Sequence, residues 1–327
     1  FFFKQKTAYE IPKRDWSSDV CSSDLPEGPR KHRGMAFDLQ GIRFLLHARK
    51  RGVAFAKVAT LGRQTLLVSR TELESLVPAF PAHAPAQRES VLAAAGGFAE
   101  PLLQLLGAKA VTSFDVSDFE GASIRHDFNV PLPEEQAVRF DMVIDAGSLE
   151  HIFQFPVAMA NLMRLVEPGG HLILITPTNH FSGHGFYQFS PELFYRVLAP
   201  ENGFRIEQML ATELFPDSFW YEVPDPAAVR GRVILNSCCE TYLCVLASRT
   251  HAGPIFGALP QQSDYSALWQ NRSSVGPAVP PAAQVPNGLS AKLRRHLHHR
   301  LLKYLRFYGR DREMMLRSPV FRRVQVH

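Results

Sequence analysis

Residues 140–177 read FDMVIDAGSLEHIFQFPVAMANLMRLVEPGGHLILITP. Phe140 to Asp145 is a short apolar run suited to a buried strand, and Glu150-His151 follows its carboxyl end. An amphipathic helix comes next, then the turn Pro168-Gly169-Gly170, then a second apolar run through Ile175. Two buried strands joined by a helix run parallel in one sheet, and such a sheet collects its polar chemistry at the carboxyl ends of its strands.

The flanking sequence repeats this alternation. Ala110 to Val116 is a strand with Asp115 near its end, and Ile124 to Phe128 is another that carries Asp127. Upstream, Phe98 to Leu106 has helical apolar spacing and stops at Gly107, while Thr71 opens a helix with Glu72 and Glu74 in its first turn. Ala54 to Ser69 holds two short β-rich runs around Leu61-Gly62-Arg63-Gln64, Phe80 to Pro85 is a Pro-rich loop, and Met35 to Val53 favours a helix over one edge. Downstream, Ser190 is the expected N-cap of a helix with Pro191 at its first position, and two late strands are expected at Phe204 to Leu214 and Glu240 to Ala247. The fold class is α/β, a doubly wound Rossmann-like sheet.

The ends of the chain differ from its middle. Residues 1–25, FFFKQKTAYEIPKRDWSSDVCSSDL, match the frame translation of a sequencing-library adapter. A targeting peptide is the biological alternative, but the segment has no continuous apolar region and balances four acids with four bases. Residues 1–34 are therefore set apart as artefact and leader, with Met35 the expected start. The domain is expected over 35–250, a Pro-rich linker over 251–288, and a basic tail over 289–327, where Leu289, Leu293, Leu297, Leu301 and Leu305 recur every fourth residue as in an amphipathic helix. That tail carries eleven Lys and Arg against two acids, so with a net charge of +5 overall the body between it and the adapter sums to −4. Outside the adapter, Cys238, Cys239 and Cys244 fit core or strand positions in a reduced, cytoplasmic setting.

The order FDxVxxxxxLEHI, helix, xxPGGxLxxxxP resembles the middle of class I S-adenosylmethionine-dependent methyltransferases. The resemblance covers roughly Phe98 to Ala247 and implies a seven-stranded sheet whose late strands form its antiparallel end, with S-adenosylmethionine as cofactor. It places Asp115 on the ribose hydroxyls and Asp127 on the adenine amino group, with Asp118 and Glu120 as competitors for the ribose. Phe128 would flank adenine or simply pack in the core, and Ala146-Gly147 would line the pocket. His151 would accept a proton from the nucleophile or orient it, or else Glu150 and His151 would pair with backbone and fix the loop. His180 and His184 fall past the next strand at the same rim and complete the candidate catalytic group. Metal binding is not expected, because His180 and His184 lack helical ligand spacing and no third ligand of fixed position is visible.

The chain departs from the family at its first strand, where the glycine-rich loop DxGxGxG is absent. Gly62 is the preferred substitute and Ala94-Ala95-Gly96-Gly97 the other; choosing Gly62 implies a long insertion before the following helix. Transfer to a small-molecule or glycan acceptor is the reading that results. The alternative is a binding or scaffold protein that keeps the fold without the activity. Nucleic acid is disfavoured by the acidic body, and the basic tail has the chemistry for an anionic membrane surface or for folding back on that body.

Overall fold

A computed structural model describes residues 36–82, 85–133, 139–215, 217–229, 231–237, 239–266, 269 and 320–326. The sheet is built from β1 (Lys57–Leu61), β2 (Ala110–Asp115), β3 (Ile124–Arg125), β4 (Phe140–Ala146), β5 (Val166–Asn179), β6 (Phe204–Glu213), β7 (Trp220–Glu222), β8 (Thr241–Arg249) and β9 (Arg322–Val324). Their order is β3-β2-β1-β4-β5-β8-β6-β7-β9. The first five pair in parallel, and β8 inserts antiparallel between β5 and β6. The chain winds outward from β1 to β3 and then returns to β4 on the other side of β1, which puts a topological switch point between β1 and β4.

Both faces of the sheet are buried, which explains the continuous apolar runs of its central strands. One face receives α1 (Leu39–Lys50), α2 (Arg70–Leu76), α3 (Pro85–Ala93) and α4 (Glu100–Leu105), packed on Met142, Ile144, Ile173, Ile175 and Leu246. The other receives α5 (Phe155–Leu165) and α6 (Pro191–Val197) against Val143, Leu172, Leu174, Leu243 and Val245. Local chemistry sets the helix starts. Asp38 caps α1 by accepting from the Gly41 N–H at 2.8 Å, and Ser69 with Glu72 closes a reciprocal capping box on α2. At the far end of α5, the buried Arg249 at the end of β8 donates to the Met163 and Arg164 carbonyls, which the helix leaves unpaired.

Several sequence expectations need correction. Among the described residues the sheet has nine strands rather than seven, because β7 forms a hairpin with β6 and β9 then pairs with β7. Arg322 of β9 donates to the Glu222 carboxylate at 2.9 Å, so the last part of the basic tail is a strand. The amphipathic helix expected from Leu289 lies outside the described residues, as do the proposed leader and Gly276 to Gly288. Residues 251–266 continue the domain, with the Ser263 N–H on Glu192 at 2.7 Å and Arg232 on Asp264 at 2.9 Å. Strand β3 ends at Arg125 because the Asp127 carboxylate takes the Asn129 N–H at 2.8 Å and turns the chain. After Gly62 only the isolated bridges Phe37–Leu66 and Thr65–Phe98 form in place of a second β run, and α3, which the sequence reading did not assign, begins at Pro85, the last residue of the expected loop. Ser190 stands at the N-cap of α6 without a side-chain capping bond. Among the described residues no helix is long and apolar enough to cross a membrane.

One feature of the central strands is unfavourable in isolation. Asp145 lies fully buried on β4, opposite Leu61 of β1 and Leu174 of β5; its carboxylate takes the Ser148 N–H at 3.2 Å and the Leu149 N–H, and Oδ2 has no hydrogen-bond partner. Desolvation pushes its carboxyl up to about 7. Because this acid titrates higher in the folded than in the unfolded chain, its stabilising contribution is complete below about pH 4 and is lost as pH rises through 7. The contribution of Asp145 to stability, read by urea unfolding with a chelator present, should therefore fall by roughly 2–4 kcal/mol between pH 5 and 8. The stability of Asp145→Asn relative to the native chain should improve over the same interval; parallel curves would show that Asp145 is not held neutral.

Candidate functional site

By the general rule for such sheets, the switch point places a crevice at the carboxyl ends of β1 and β4. Gly62, at φ +72°, carries the chain out of β1, and its N–H donates to the Phe114 carbonyl of β2 at 2.7 Å. A Cβ there would stand 3.1 Å from the Ser148 hydroxyl oxygen, so glycine suits both the backbone angle and the space. Ser148 Oγ, from the loop after β4, donates to the Leu61 carbonyl at 3.0 Å and ties the two strand ends together. The chain then detours from Leu67 and returns at Gly97, where Leu66 N–H meets the Gly97 carbonyl at 2.7 Å before α4 begins. The two glycine segments that compete in the sequence thus meet in space, and the insertion implied by Gly62 is the excursion through α2 and α3.

Asp115 ends β2 half-buried, with Oδ1 accepting the Ser117 N–H at 2.9 Å. Asp127 is exposed, and its Oδ1 takes both the Asn129 N–H and side-chain amide at 2.8 Å, which hold its carboxyl below the usual range. Phe128 is 2% exposed and packs edge-on against Phe114, so its ring belongs to the core. Ala146 is likewise buried, within the layer shared with α1, and Gly147 at φ +90° carries the chain out of β4. Arg63 spans the mouth, pairing with Glu100 at 2.7 Å, donating to the Glu120 carbonyl at 2.8 Å and lying over the Phe98 ring. Gln64 turns inward and donates to the Leu61 carbonyl.

On the β5 side of the cleft lies a second cluster. A single 3-10 turn, Leu149–His151, buries the Glu150 side chain completely. The loop after β5 folds over it: Phe186 N–H donates to the Glu150 carbonyl at 2.7 Å, and Gly185 at φ +70° passes so close that a Cβ would lie 2.8 Å from that oxygen. This brings His184 Nε2 to 3.5 Å from Glu150 Oε1 and its ring to 4.8 Å from that of His151. Neither Glu150 oxygen accepts a hydrogen bond from another residue, and His184 Nε2 has no hydrogen-bond partner. Burial, then the nearby Asp145 charge, raises the Glu150 carboxyl to about 8, and burial followed by His184 lowers His151. Beneath them the buried Tyr242 bonds to Asp38 and stacks on Phe181, which in turn contacts His184.

Three of the four residues expected to be catalytic, Glu150, His151 and His184, therefore converge. His180 does not: it sits at φ +63° and its Nε2 is 2.8 Å from the Ser237 carbonyl, facing the segment before β8. Asp145, Asp38 and Tyr242 were missed. An acid within the run MVIDA was the available signal for the first; nothing local marks the other two, which come from opposite ends of the domain. Of the aromatics near the rim, Phe153 and Phe186 form an exposed edge-to-face pair at 5.9 Å, whereas Phe189, Trp220 and Tyr221 are buried. A groove of about 830 Å³ between α1 and β7, lined by Arg43, Arg49 and Trp220, lies apart from this cleft.

No protein-family model matches the chain, and no curated protein matches it in sequence. Among solved structures it is similar to the N-methyltransferase NodS from Bradyrhizobium japonicum WM9 in complex with S-adenosyl-L-homocysteine. That likeness has 14% identity and a TM-score of 0.36 over 65% of this chain and 87% of that one. It is also similar to the 1,6-didemethyltoxoflavin-N1-methyltransferase of Burkholderia thailandensis, with 16% identity and a TM-score of 0.34 over 65% and 78% of the two chains. TehB from Haemophilus influenzae gives 13% identity and a TM-score of 0.32 over 62% and 61%. At these scores the likenesses carry no argument, and the α/β Rossmann-like assignment rests on the strand order itself.

Proposed function

We propose that the chain binds S-adenosylmethionine at the β1–β4 switch point and transfers its methyl group to a small-molecule or glycan acceptor. The observation that carries this reading is the meeting of Gly62, Asp115 and Ser148 at the carboxyl ends of β1, β2 and β4, in a sheet whose order continues through β5 to an inserted antiparallel strand. The residues fit the group. Gly62 permits close backbone approach, and Asp115 is a half-buried carboxylate with one oxygen engaged by Ser117, leaving acceptor capacity for a diol. The cofactor supplies an already activated methyl on a sulfonium, so the protein contributes position and exclusion of water.

On the acceptor side, His151 stands at the rim with its pKa lowered, a neutral imidazole near pH 7 able to accept a hydrogen bond from an incoming hydroxyl or amine. The exposed Phe153 and Phe186 rings beside it offer apolar faces to a flat molecule or a sugar ring. One feature favours the non-catalytic alternative: the first loop has a single glycine, and Arg63 is already committed across the mouth to Glu100 and Glu120.

Calorimetric titration of S-adenosylmethionine and S-adenosylhomocysteine separates the two. Micromolar binding is expected, weakened about 10- to 100-fold in Asp115→Ala by loss of hydrogen bonds to a charged group. The exposed Asp127 should matter less, with Asp127→Ala costing under about tenfold. Gly62→Ala should weaken binding and lower stability by about 1–2 kcal/mol, the cost of a left-handed backbone for a residue with a Cβ. A folded chain that binds neither ligand would leave the scaffold reading standing.

A further inference from the structure

We infer that Glu150, His151 and His184 form a binding site for a divalent first-row transition-metal ion. One carboxylate oxygen and one nitrogen from each histidine lie within 4.8 Å of one another, close enough to converge on a single ion after small side-chain rotations. The Glu150 side chain has no solvent exposure, and neither of its oxygens accepts a hydrogen bond from another residue. His184 Nε2, 3.5 Å from Glu150 Oε1, is also buried and unpartnered. Buried acceptors left without donors carry the full cost of desolvation, and a cation removes that cost for all of them at once.

The ligand set narrows the ion. Two imidazoles with one carboxylate suit Zn²⁺, Fe²⁺, Co²⁺ or Ni²⁺ better than Mg²⁺ or Ca²⁺, which prefer oxygen throughout. Three protein ligands also leave a coordination position open. His151 is the exposed member, so that position faces the rim beside Phe153 and Phe186. An acceptor hydroxyl would bind there, with His151 acting as ligand in place of hydrogen-bond acceptor. That last step rests on the methyl-transfer reading; the metal site itself does not.

The backbone is shaped to hold the trio. Glu150 and His151 share one 3-10 turn, and Gly185 lets the chain pass at van der Waals distance from Glu150 so that His184 closes over it. His180 contributes nothing, being turned to Ser237. The sequence reading set Glu150 beside His151 and His184 beside His180 and expected no metal; the fold brings His184, and not His180, to the Glu150–His151 pair.

The test is calorimetric titration of Zn²⁺, with Mg²⁺ as comparison, into the full chain after chelation, without S-adenosylmethionine. The parent carries Asn at His296, His298 and His299, because the basic tail reads RRHLHHR and would bind metal adventitiously. One Zn²⁺ per chain is expected, with Mg²⁺ much weaker. Neighbours that merely orient metal ligands change affinity by about 10- to 100-fold, so Glu150→Gln and His151→Asn should each weaken Zn²⁺ by more than about tenfold. His180→Asn should leave it unchanged. Should Glu150→Gln fail to fold, His151→Asn at the exposed rim remains, and electron paramagnetic resonance of the Cu²⁺-loaded parent should count two imidazole nitrogens. Absence of stoichiometric binding, or binding indifferent to both substitutions, overturns the site. Failure to bind S-adenosylmethionine in the separate titration would overturn only the methyl-transfer reading.

Discussion

The sheet is covered on both faces, and this constraint governs where polar chemistry can sit. Strands β4, β5 and β8 have side chains packed against helices on either side, so a polar group along them is desolvated unless it lies at an end. The strand ends are then the only places where backbone groups, acids and histidines can meet solvent or a ligand. At the adjacent carboxyl ends of β1 and β4 the connections leave in opposite directions, which is where sheets of this kind form a crevice. Ser148 and Gly62 define its floor, joined through the Leu61 carbonyl, and the remaining side chains are arranged around that joint.

Much of this was legible in the sequence because periodicity and burial are local. The stretch from Phe140 to Pro177 predicts β4, α5 and β5 in order, and the Asp115 and Asp127 strand ends follow from the same alternation. Where the reading failed, a side chain had redirected the backbone or a distant segment had intervened. Asp127 terminates β3 by bonding to Asn129, a competition between side chain and ladder that no propensity scale registers. β7 and β9 are three residues each, too short to leave a periodic trace, and they form only because β6 offers an open edge.

The cleft divides in the same way. Glu150 and His151 are adjacent and stand at a recognisable strand end, so their role as a pair was visible. His184 arrives from a loop that also carries His180, and the choice between them is made by two left-handed residues, His180 and Gly185, that turn one ring out and the other in. Tyr242 and Asp38 meet because the first helix and the inserted strand share one layer, a fact of topology with no local signature. The first loop illustrates the reverse case: two glycine segments that looked like competitors are neighbours across a pair of backbone hydrogen bonds.

Strand β9 changes what kind of object the basic stretch is. Residues up to 266 are fastened to α6 and to Arg232, and Arg322 to Val324 are fastened to β7, so the chain between them is tethered at both ends to one body. Two of the tail's eleven cations, Arg322 and Arg323, are thereby engaged by the domain itself, on the Glu222 carboxylate and the Phe219 ring. Severed from the chain before it, β9 would be held to the domain by one three-residue edge alone.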